Sequence, residues 1–260
     1  ESAILMDLMG APAAEKIALL EPHASNFRRD DLFVELAKAY NQNFQPEKAL
    51  QLLLSHVFVA CEGGEHAIAD QYMYAWFQLG MAKKAAGDWA GCYELLEKAL
   101  TLPKNLGSGI WNRCKYVPYQ FHMAECLEHM GKKEDAQSIY RMILDIEVEF
   151  FSNMHLRELP YYQALCAEAL GLQQKAWNIM ARAKRDWSFN LDRKDNGFFS
   201  TTPFFISFAQ GPAIARRAYY QYLLGLVKLY EGDRERAKAL FRESYAGNSD
   251  SLFCHYYAQL

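Results

Sequence analysis

The sequence contains no long apolar run and no cluster of basic residues. A helix that spans a bilayer needs roughly 18 or more consecutive apolar residues, and no segment approaches that length. The densest basic pairs are Lys132-Lys133 and Arg216-Arg217, and the net charge is −3. Nucleic-acid-binding domains usually carry a strong basic stripe. We therefore expect neither a membrane nor a nucleic acid as a partner.

Motifs for catalysis and cofactor binding are also missing. The chain has no Gly-x-Ser-x-Gly elbow, no phosphate-binding loop and no Gly-x-Gly-x-x-Gly fingerprint after a strand. Its carboxylates lie mainly at helix starts and at solvent positions. We expect no enzymatic activity in this chain and no cofactor.

One set of side chains has the spacing of a metal site. His122, Cys126 and His129 fall at i, i+4 and i+7, so that one helical face carries all three. Tetrahedral zinc needs a fourth ligand or an open position, and the pattern offers no clear fourth ligand. We interpret the three residues as packing residues and expect no metal.

The six cysteines are scattered, and several lie at apolar helix positions. This distribution is typical of a reduced intracellular protein, so we expect a cytoplasmic location. The chain begins at Glu1 rather than at Met, within a predicted helix from Ser2 to Met9, and we expect it to be part of a longer protein. The cysteines are Cys61, Cys92, Cys114, Cys126, Cys166 and Cys254.

A recurring pair of small residues dominates the pattern of the chain. In five places a small residue precedes an Ala or Cys by twelve positions. Two antiparallel helices approach closely only where their side chains are small, so each pair predicts a helical hairpin. The pairs are Ala37 with Ala49, Gly80 with Cys92, Ala124 with Ala136, Ala164 with Ala176, and Gly225 with Ala237.

The turn between the two helices has its own signal. Gly87, Gly131, Gly171 and Gly232 each follow the first small residue by seven positions, and Phe44 holds the same place in the first unit. Glycine at such a position ends a helix in the left-handed conformation. Polar residues then open the second helix.

These residues resemble the tetratricopeptide repeat. The second unit has Trp76, Leu79 and Gly80, then Cys92 and later Pro103, in the order of that family's pattern. The resemblance covers about residues 30 to 248 and implies an all-α superhelix, or solenoid, of about five hairpins with terminal capping helices. Corresponding positions are more widely spaced than the roughly 34 residues of a standard repeat, which implies lengthened helices or loops.

The same pattern predicts the organisation of the chain. Helices Ser2–Met9 and Ala13–Leu20 form a degenerate repeat or cap, and Ser249 or Asp250 begins the last helix. Terminal caps are expected, because each repeat buries its apolar face only against neighbours. The predicted segments are a cap at 1–29, repeats one to four at 30–183, an aromatic-rich insertion at 184–213, repeat five at 214–248 and a capping helix at 249–260.

The resemblance also implies a binding surface. In tetratricopeptide arrays the first helices line a concave groove that binds peptides or partner helices, so we expect a protein, a peptide or another domain of a parent chain as the partner. Homo-oligomerisation through this face is a further expectation. Alternatively, the aromatic residues pack on the chain's own insertion or on another domain. The predicted groove residues are Tyr74, Phe77, Met81, Lys84, Phe121, Glu125, Glu128, His129, Tyr161, Glu168, Tyr219, Tyr222 and Tyr230.

The insertion is the least repeat-like segment of the chain. Exposure of so many rings without a cause is unusual, so we expect the segment to fold over the repeats or to dock on another domain. Asp192, Asp195 and Asn196 lack the ligand spacing of a calcium loop. The aromatic residues are Trp187, Phe189, Phe198, Phe199, Phe204, Phe205 and Phe208.

A second interpretation of function is a carbohydrate-binding or small-molecule-binding α-helical domain. The C-terminal third, from Asn196 through Tyr219 to Lys238, resembles the tail of large bacterial proteins that carry a β-rich, carbohydrate-enzyme-like domain ahead of tetratricopeptide repeats. This resemblance implies a domain accessory to a sugar-related parent. The ligand-binding interpretation predicts a closed pocket in which carboxylates converge, namely those of Glu125, Glu128, Glu158 and Glu168.

Overall fold

The computed structural model describes residues 6, 10–59, 67–107, 113–147, 158–193, 212–248 and 251–259. Within these ranges the chain is α-helical with short 3-10 turns and contains no strand, which confirms the predicted all-α fold. The helices of these ranges are α1 (Ala13–Leu20), α2 (Asp30–Gln42), α3 (Pro46–Leu54), α4 (Ala67–Ala85), α5 (Trp89–Leu100), α6 (Val117–His129), α7 (Lys133–Leu144), α8 (Leu159–Ala169), α9 (Gln173–Asp192), α10 (Pro212–Tyr230), α11 (Arg234–Gly247) and α12 (Leu252–Tyr257).

The helices from α2 to α11 follow one another as five pairs, each joined by a turn of three residues. One residue in every turn has a positive φ: Phe44 (52°), Gly87 (77°), Gly131 (79°), Gly171 (76°) and Gly232 (81°). In the second pair, the amide of Asp88 donates to the carbonyl of Lys83 at 3.0 Å, the bond that closes a Schellman turn. Equivalent bonds join Gln45 to Tyr40, Lys132 to Leu127, Leu172 to Ala167, and Asp233 to Lys228.

Two of the second helices begin at an aspartate that caps them. The carboxylate of Asp88 accepts from the amide of Gly91 at 2.9 Å, and that of Asp233 accepts from the amide of Arg236 at 3.2 Å. Such a side chain satisfies one of the amides that have no partner inside the helix. The polar stretch that the sequence shows after each turn therefore has a structural role at these two positions.

The small residues that define the repeat are all buried. A Cβ atom added to Gly80 would lie 3.3 Å from the side chain of Leu96, on the paired helix α5. At Gly225 it would lie only 2.5 Å from the ring of Phe241, on α11. The atoms nearest to a Cβ at Gly225 are thus those of Phe241 rather than those of the predicted Ala237.

The chain divides into two compact units, Glu1–Ala136 and Gln137–Leu260. In the first unit, α1 packs on α2, α2 on α3 and α4, α4 on α5, and α5 on α6. In the second unit, α8 packs on α9 and α10, α9 on α10, α10 on α11, and α11 on α12. The first helices α2, α4, α8 and α10 therefore contact both their own partner and a helix of a neighbouring pair, as expected of stacked hairpins.

The ends of the predicted segments differ in detail from the structure. Helix α9 continues to Asp192, so the first residues of the predicted insertion extend the second helix of the fourth pair. Trp187 is buried there, whereas Phe189 is exposed. The remainder of the insertion, 194–211, lies outside the described residues, and so do the predicted cap residues Ser249 and Asp250. Helix α1 lies within the segment 1–29, whose role as a cap stays a prediction.

No helix in the described ranges combines the length and the apolar character that a membrane crossing requires.

Candidate functional site

Six of the thirteen predicted groove residues are buried in the structure. Tyr74 and Phe77 are 0% exposed. Their rings lie 6.2 Å apart, and Phe77 packs edge-on against Tyr119 of α6 at 5.6 Å. Phe77 thus packs against the neighbouring first helix α6, whereas Tyr222 packs against Phe241 of α11 and Tyr257 of α12. The six residues are Tyr74, Phe77, Met81, Phe121, Tyr161 and Tyr222.

Four of the remaining predicted residues lie in the first unit. Two of them, Lys84 and Glu125, form an ion pair, and the other two are Glu128 and His129. The ammonium of Lys84, near the end of α4, lies 2.5 Å from Oε2 of Glu125 on α6. Nδ1 of His122, one turn earlier on α6, lies 2.5 Å from the same oxygen. The pair is partly exposed, at 24% for Lys84 and 29% for Glu125. The contact joins the first helices of two consecutive hairpins.

The charges in this cluster are strongly coupled. Burial raises the pKa of Glu125, but the hydrogen bond from His122, the charge of that ring when it is protonated, and the charge of Lys84 outweigh burial and hold the pKa at about 2. Burial lowers the pKa of His122, and the bond to Glu125 only partly offsets this effect. Nδ1 of His122 lies within hydrogen-bond distance of both Oε2 of Glu125 and, at 3.2 Å, the ammonium of Lys84. The buried Nε2 of the same ring has no hydrogen-bond partner among the described residues.

An exposed aromatic edge lies next to the ion pair. The rings of Trp89, at the start of α5, and His129, at the end of α6, are stacked at 3.7 Å with an angle of 3° between their planes. Glu128 and His129 are exposed, and Trp89 is half-buried. We give the name first-helix surface of the first unit to Lys84, Glu125, Glu128 and His129 on the first helices α4 and α6, together with Trp89 at the adjoining start of the second helix α5.

The three residues with metal-site spacing point to different partners. His122 bonds to Glu125, and His129 stacks on Trp89. Cys126 is buried beside the thiol of Cys92, whose pKa is lowered by the bond to Cys126 while that of Cys126 is raised. Within the described ranges, no three or more His, Cys, Asp or Glu side chains are grouped to hold a metal ion.

Sequence reasoning missed a buried polar network between α2 and α4. The amide of Asn41 donates to the side-chain oxygen of Gln71 at 2.8 Å, and the amide of Gln78 donates to the carbonyl of Asn41 at 3.1 Å. Lys16 is also buried, at 1% exposure, and its ammonium donates to Gln42 at 2.8 Å. Asn41 and Gln42 stand near the end of the first helix of the first hairpin, where two consecutive uncharged polar residues precede the turn. These polar groups fix how the first helices stack.

In the second unit, two tyrosines join the first helices α8 and α10. The hydroxyl of Tyr219 donates to Glu158 at 3.2 Å, and that of Tyr230 donates to Glu168 at 2.7 Å. Both tyrosines are half-buried, and Glu168 is exposed. The second unit thus presents a smaller polar surface made of Glu168, Tyr219 and Tyr230.

The structure offers little to the carbohydrate interpretation. Stacking on a sugar needs an open ring face, and the buried rings do not present one. Glu125 and Glu128 belong to the first unit, whereas Glu158 and Glu168 belong to the second. Carboxylates in this set are already bonded within the protein: Glu125 is held by Lys84, Glu158 by Tyr219 and Glu168 by Tyr230.

Comparison with known proteins identifies one repeat. Residues 119–146, which include most of α6 and all of α7, match the family described as Tetratricopeptide repeat. The chain is similar to a Podosopora anserina kinesin light chain with nearly identical TPR-like repeats, at 17% identity and a TM-score of 0.32, over 84% of this chain and 94% of that chain. It is also similar to a Rap protein complexed with competence and sporulation factor, at 13% identity and a TM-score of 0.35, over 95% of this chain and 62% of that chain. Similarity at this level carries no information on what this chain binds.

Proposed function

We propose that this chain is a protein-interaction scaffold and that it binds a polypeptide segment on the first-helix surface of the first unit. The partly exposed ion pair of Lys84 and Glu125, beside the stacked rings of Trp89 and His129, is the observation that carries the proposal. The buried rings beneath, such as Phe77, support this surface and do not contact the partner.

The chemistry of the surface suits a polypeptide. An ammonium group has three donors and a carboxylate accepts several hydrogen bonds, so Lys84 and Glu125 retain bonding capacity beyond their own contact. The flat face of a histidine or tryptophan ring offers apolar area with little loss of side-chain entropy. Opposite charges side by side suit a partner that presents both donors and acceptors, as a peptide backbone does.

The second unit is proposed to contribute a separate contact through Glu168, Tyr219 and Tyr230. Tyrosine presents apolar area with a polar tip, which is common in protein interfaces. The hydroxyls of Tyr219 and Tyr230 are anchored on carboxylates, so that the rings are held in one orientation. Each unit can be tested separately by its own substitutions.

The proposal is tested by selecting binders from a displayed library of random peptides against the whole chain. Enriched peptides are then titrated against the wild type and against a Glu128→Ala/His129→Ala variant, whose altered side chains are exposed. We expect at least about tenfold weaker binding by the variant, as for loss of central contacts in an interface.

The matched control is Glu94→Ala, which removes an exposed carboxylate from the second helix α5. Binding should be unchanged in this variant. Failure to enrich any peptide, or binding that the Glu128→Ala/His129→Ala variant retains in full, would show that this surface is not the binding site.

Two broader expectations from the sequence stay proposals. One is that the chain is part of a larger, carbohydrate-related bacterial protein, which is tested by the gene sequence upstream of Glu1. The other is self-association, for which light scattering over a range of protein concentrations should show a mass above 29.9 kDa.

A further inference from the structure

Helix α9 has one buried face and one face that exposes two large aromatic side chains. Trp177 is 62% exposed and Phe189 is 71% exposed. Another face of the same helix is buried, with exposures between 0% and 5% for Ala176, Met180 and Trp187. The buried face already packs within the second unit, so the two exposed rings are not needed for that packing.

Two arginines lie between the rings along this face. With about 100° of rotation per residue, Trp177, Arg182, Arg185 and Phe189 fall within an arc of about 140°. The two rings are about 18 Å apart along the axis. We call these four residues the outer face of α9. It lies on a second helix and is separate from the first-helix surface of the proposed function.

The outer face carries two positive charges, and the exposed carboxylate of Asp186 lies one residue from Arg185 and one turn from Arg182. Arg182 and Arg185 are exposed and form no hydrogen bond or ion pair within the described part of the chain. Lys184, the residue before Arg185, has an ion-pair partner, because its ammonium lies 2.5 Å from the carboxylate of Glu231. Guanidinium groups bind carboxylates through two parallel hydrogen bonds. The free arginines therefore select a partner that carries acidic groups.

We propose that the outer face of α9 is a second docking site, which binds an acidic polypeptide segment that also carries apolar side chains. The arginines pair with its carboxylates, and Trp177 and Phe189 cover its apolar residues. A nucleic acid is a poorer fit, because the positive patch is short and the whole chain carries a net charge of −3. The combination of rings and arginines is the composition expected at the centre of an interface.

The probe for the experiment is a set of short fluorescein-labelled peptides rich in glutamate, in which two phenylalanines are placed at increasing separations. Binding to the whole chain is followed by fluorescence anisotropy. We expect at least one separation to bind, with an affinity that falls as salt is added, because the arginine contacts are exposed to solvent and screened. This measurement uses the wild-type protein and needs no substitution.

The variants are Arg182→Glu/Arg185→Glu and Trp177→Ala/Phe189→Ala, all at exposed positions. Each should weaken binding by at least about tenfold. The control is Arg234→Glu/Arg242→Glu, which reverses two exposed charges of the same unit on α11 and should leave binding unchanged.

Four outcomes would overturn the proposal. They are binding by no peptide of the set, equal binding of peptides with lysine in place of glutamate, an equal loss in the α11 control, and tighter binding of a single-stranded RNA of similar length.

Discussion

The hydroxyl of Tyr257, in the last helix, lies 3.3 Å from the hydroxyl of Tyr162 on α8. Tyr257 also stacks on Phe241 of α11, with ring centroids 5.2 Å apart. Helix α12 therefore does more than cover the fifth hairpin, because it sends a side chain into the core between the fourth and fifth hairpins. Tyr222 belongs to the same cluster, yet its buried hydroxyl has no hydrogen-bond partner among the described residues.

Removal of the Tyr257 hydroxyl and removal of the Tyr222 hydroxyl should have different effects on stability. We expect Tyr257→Phe to lower the free energy of unfolding by about 1 kcal/mol, because it removes a buried hydrogen bond. Tyr222→Phe should leave that free energy unchanged or raise it by up to about 1 kcal/mol, because it removes a buried polar group without a partner. Urea unfolding of both variants measures the difference. An equal loss in Tyr222→Phe would mean that its hydroxyl is bonded.

A glycine in place of Phe44 in the first hairpin turn should stabilise the fold. Phe44 has a φ of 52° and is 45% exposed, at the place where the other four turns have glycine. A residue with a Cβ is strained there by about 1 kcal/mol or more. Phe44→Gly should therefore raise the free energy of unfolding by about 1 kcal/mol, as measured by urea unfolding.

The matched control for that turn is Gly87→Ala. It places a Cβ at a φ of 77° in open space and should lower the free energy of unfolding by about 1 kcal/mol. A Phe44→Gly variant less stable than the wild type would show that contacts of the phenylalanine ring outweigh the backbone strain.

A side chain at Gly225 should destabilise the second unit, because the ring of Phe241 occupies the space. In Gly225→Ala the new methyl would lie 2.5 Å from the ring of Phe241, and overpacking of this kind costs about 1–3 kcal/mol. In Gly80→Ala the nearest atom is a movable leucine methyl at 3.3 Å, and the gain in helix propensity of about 1 kcal/mol offsets the crowding. Thermal unfolding should show a clear drop in Tm for the first variant only. A Phe241→Leu substitution should restore part of the loss in Gly225→Ala.

The ion pair on the first-helix surface should make stability depend on pH. The folded-state pKa of Glu125, about 2, lies below its ordinary value of 4.5. Between these values the unfolded chain binds more protons, so the stabilisation by Glu125 is present above pH 4.5 and is lost as the pH falls toward 2. Because the pKa of His122 is also lowered, its protonation adds to the loss on acidification.

Glu125→Gln tests this dependence. At neutral pH the variant should be less stable by about 2 kcal/mol, because Lys84 and His122 lose a partly buried charge partner. The difference from the wild type should shrink as the pH is lowered below 4.5. Glu94→Gln, at an exposed carboxylate, should show no such trend. A difference that stays constant down to pH about 3 would contradict the assigned pKa.

Local features of the fold were predictable because they depend on short stretches of chain. The spacing from Gly80 to Cys92 and the glycine at Gly87 together predict a hairpin, since close packing and a left-handed turn restrict the residue types. The same signals predicted the buried small residues Ala164 and Ala176. The sequence also shows Phe44 where the other turns have glycine, and in the structure Phe44 adopts a left-handed backbone conformation with a φ of 52°.

The exposure of the candidate site was not predictable in the same way. Tyr74 and Phe77 occupy the register positions of a binding groove, yet both are buried. Trp177 and Phe189 carry no repeat signal, yet both are exposed. Exposure depends on what neighbouring helices place against a side chain, and those helices are distant in sequence.

The amino-acid sequence by itself thus determined the all-α architecture, the five hairpins and the positions of their turns, because these follow from backbone conformation and from packing between adjacent helices. Only the tertiary structure decided which rings became core, which polar groups were paired, and which charged residues, such as Lys84 and Glu125, met on a surface. Those outcomes depend on the stacking of one hairpin on the next. A small change in helix length or turn shifts that stacking without altering the repeat pattern.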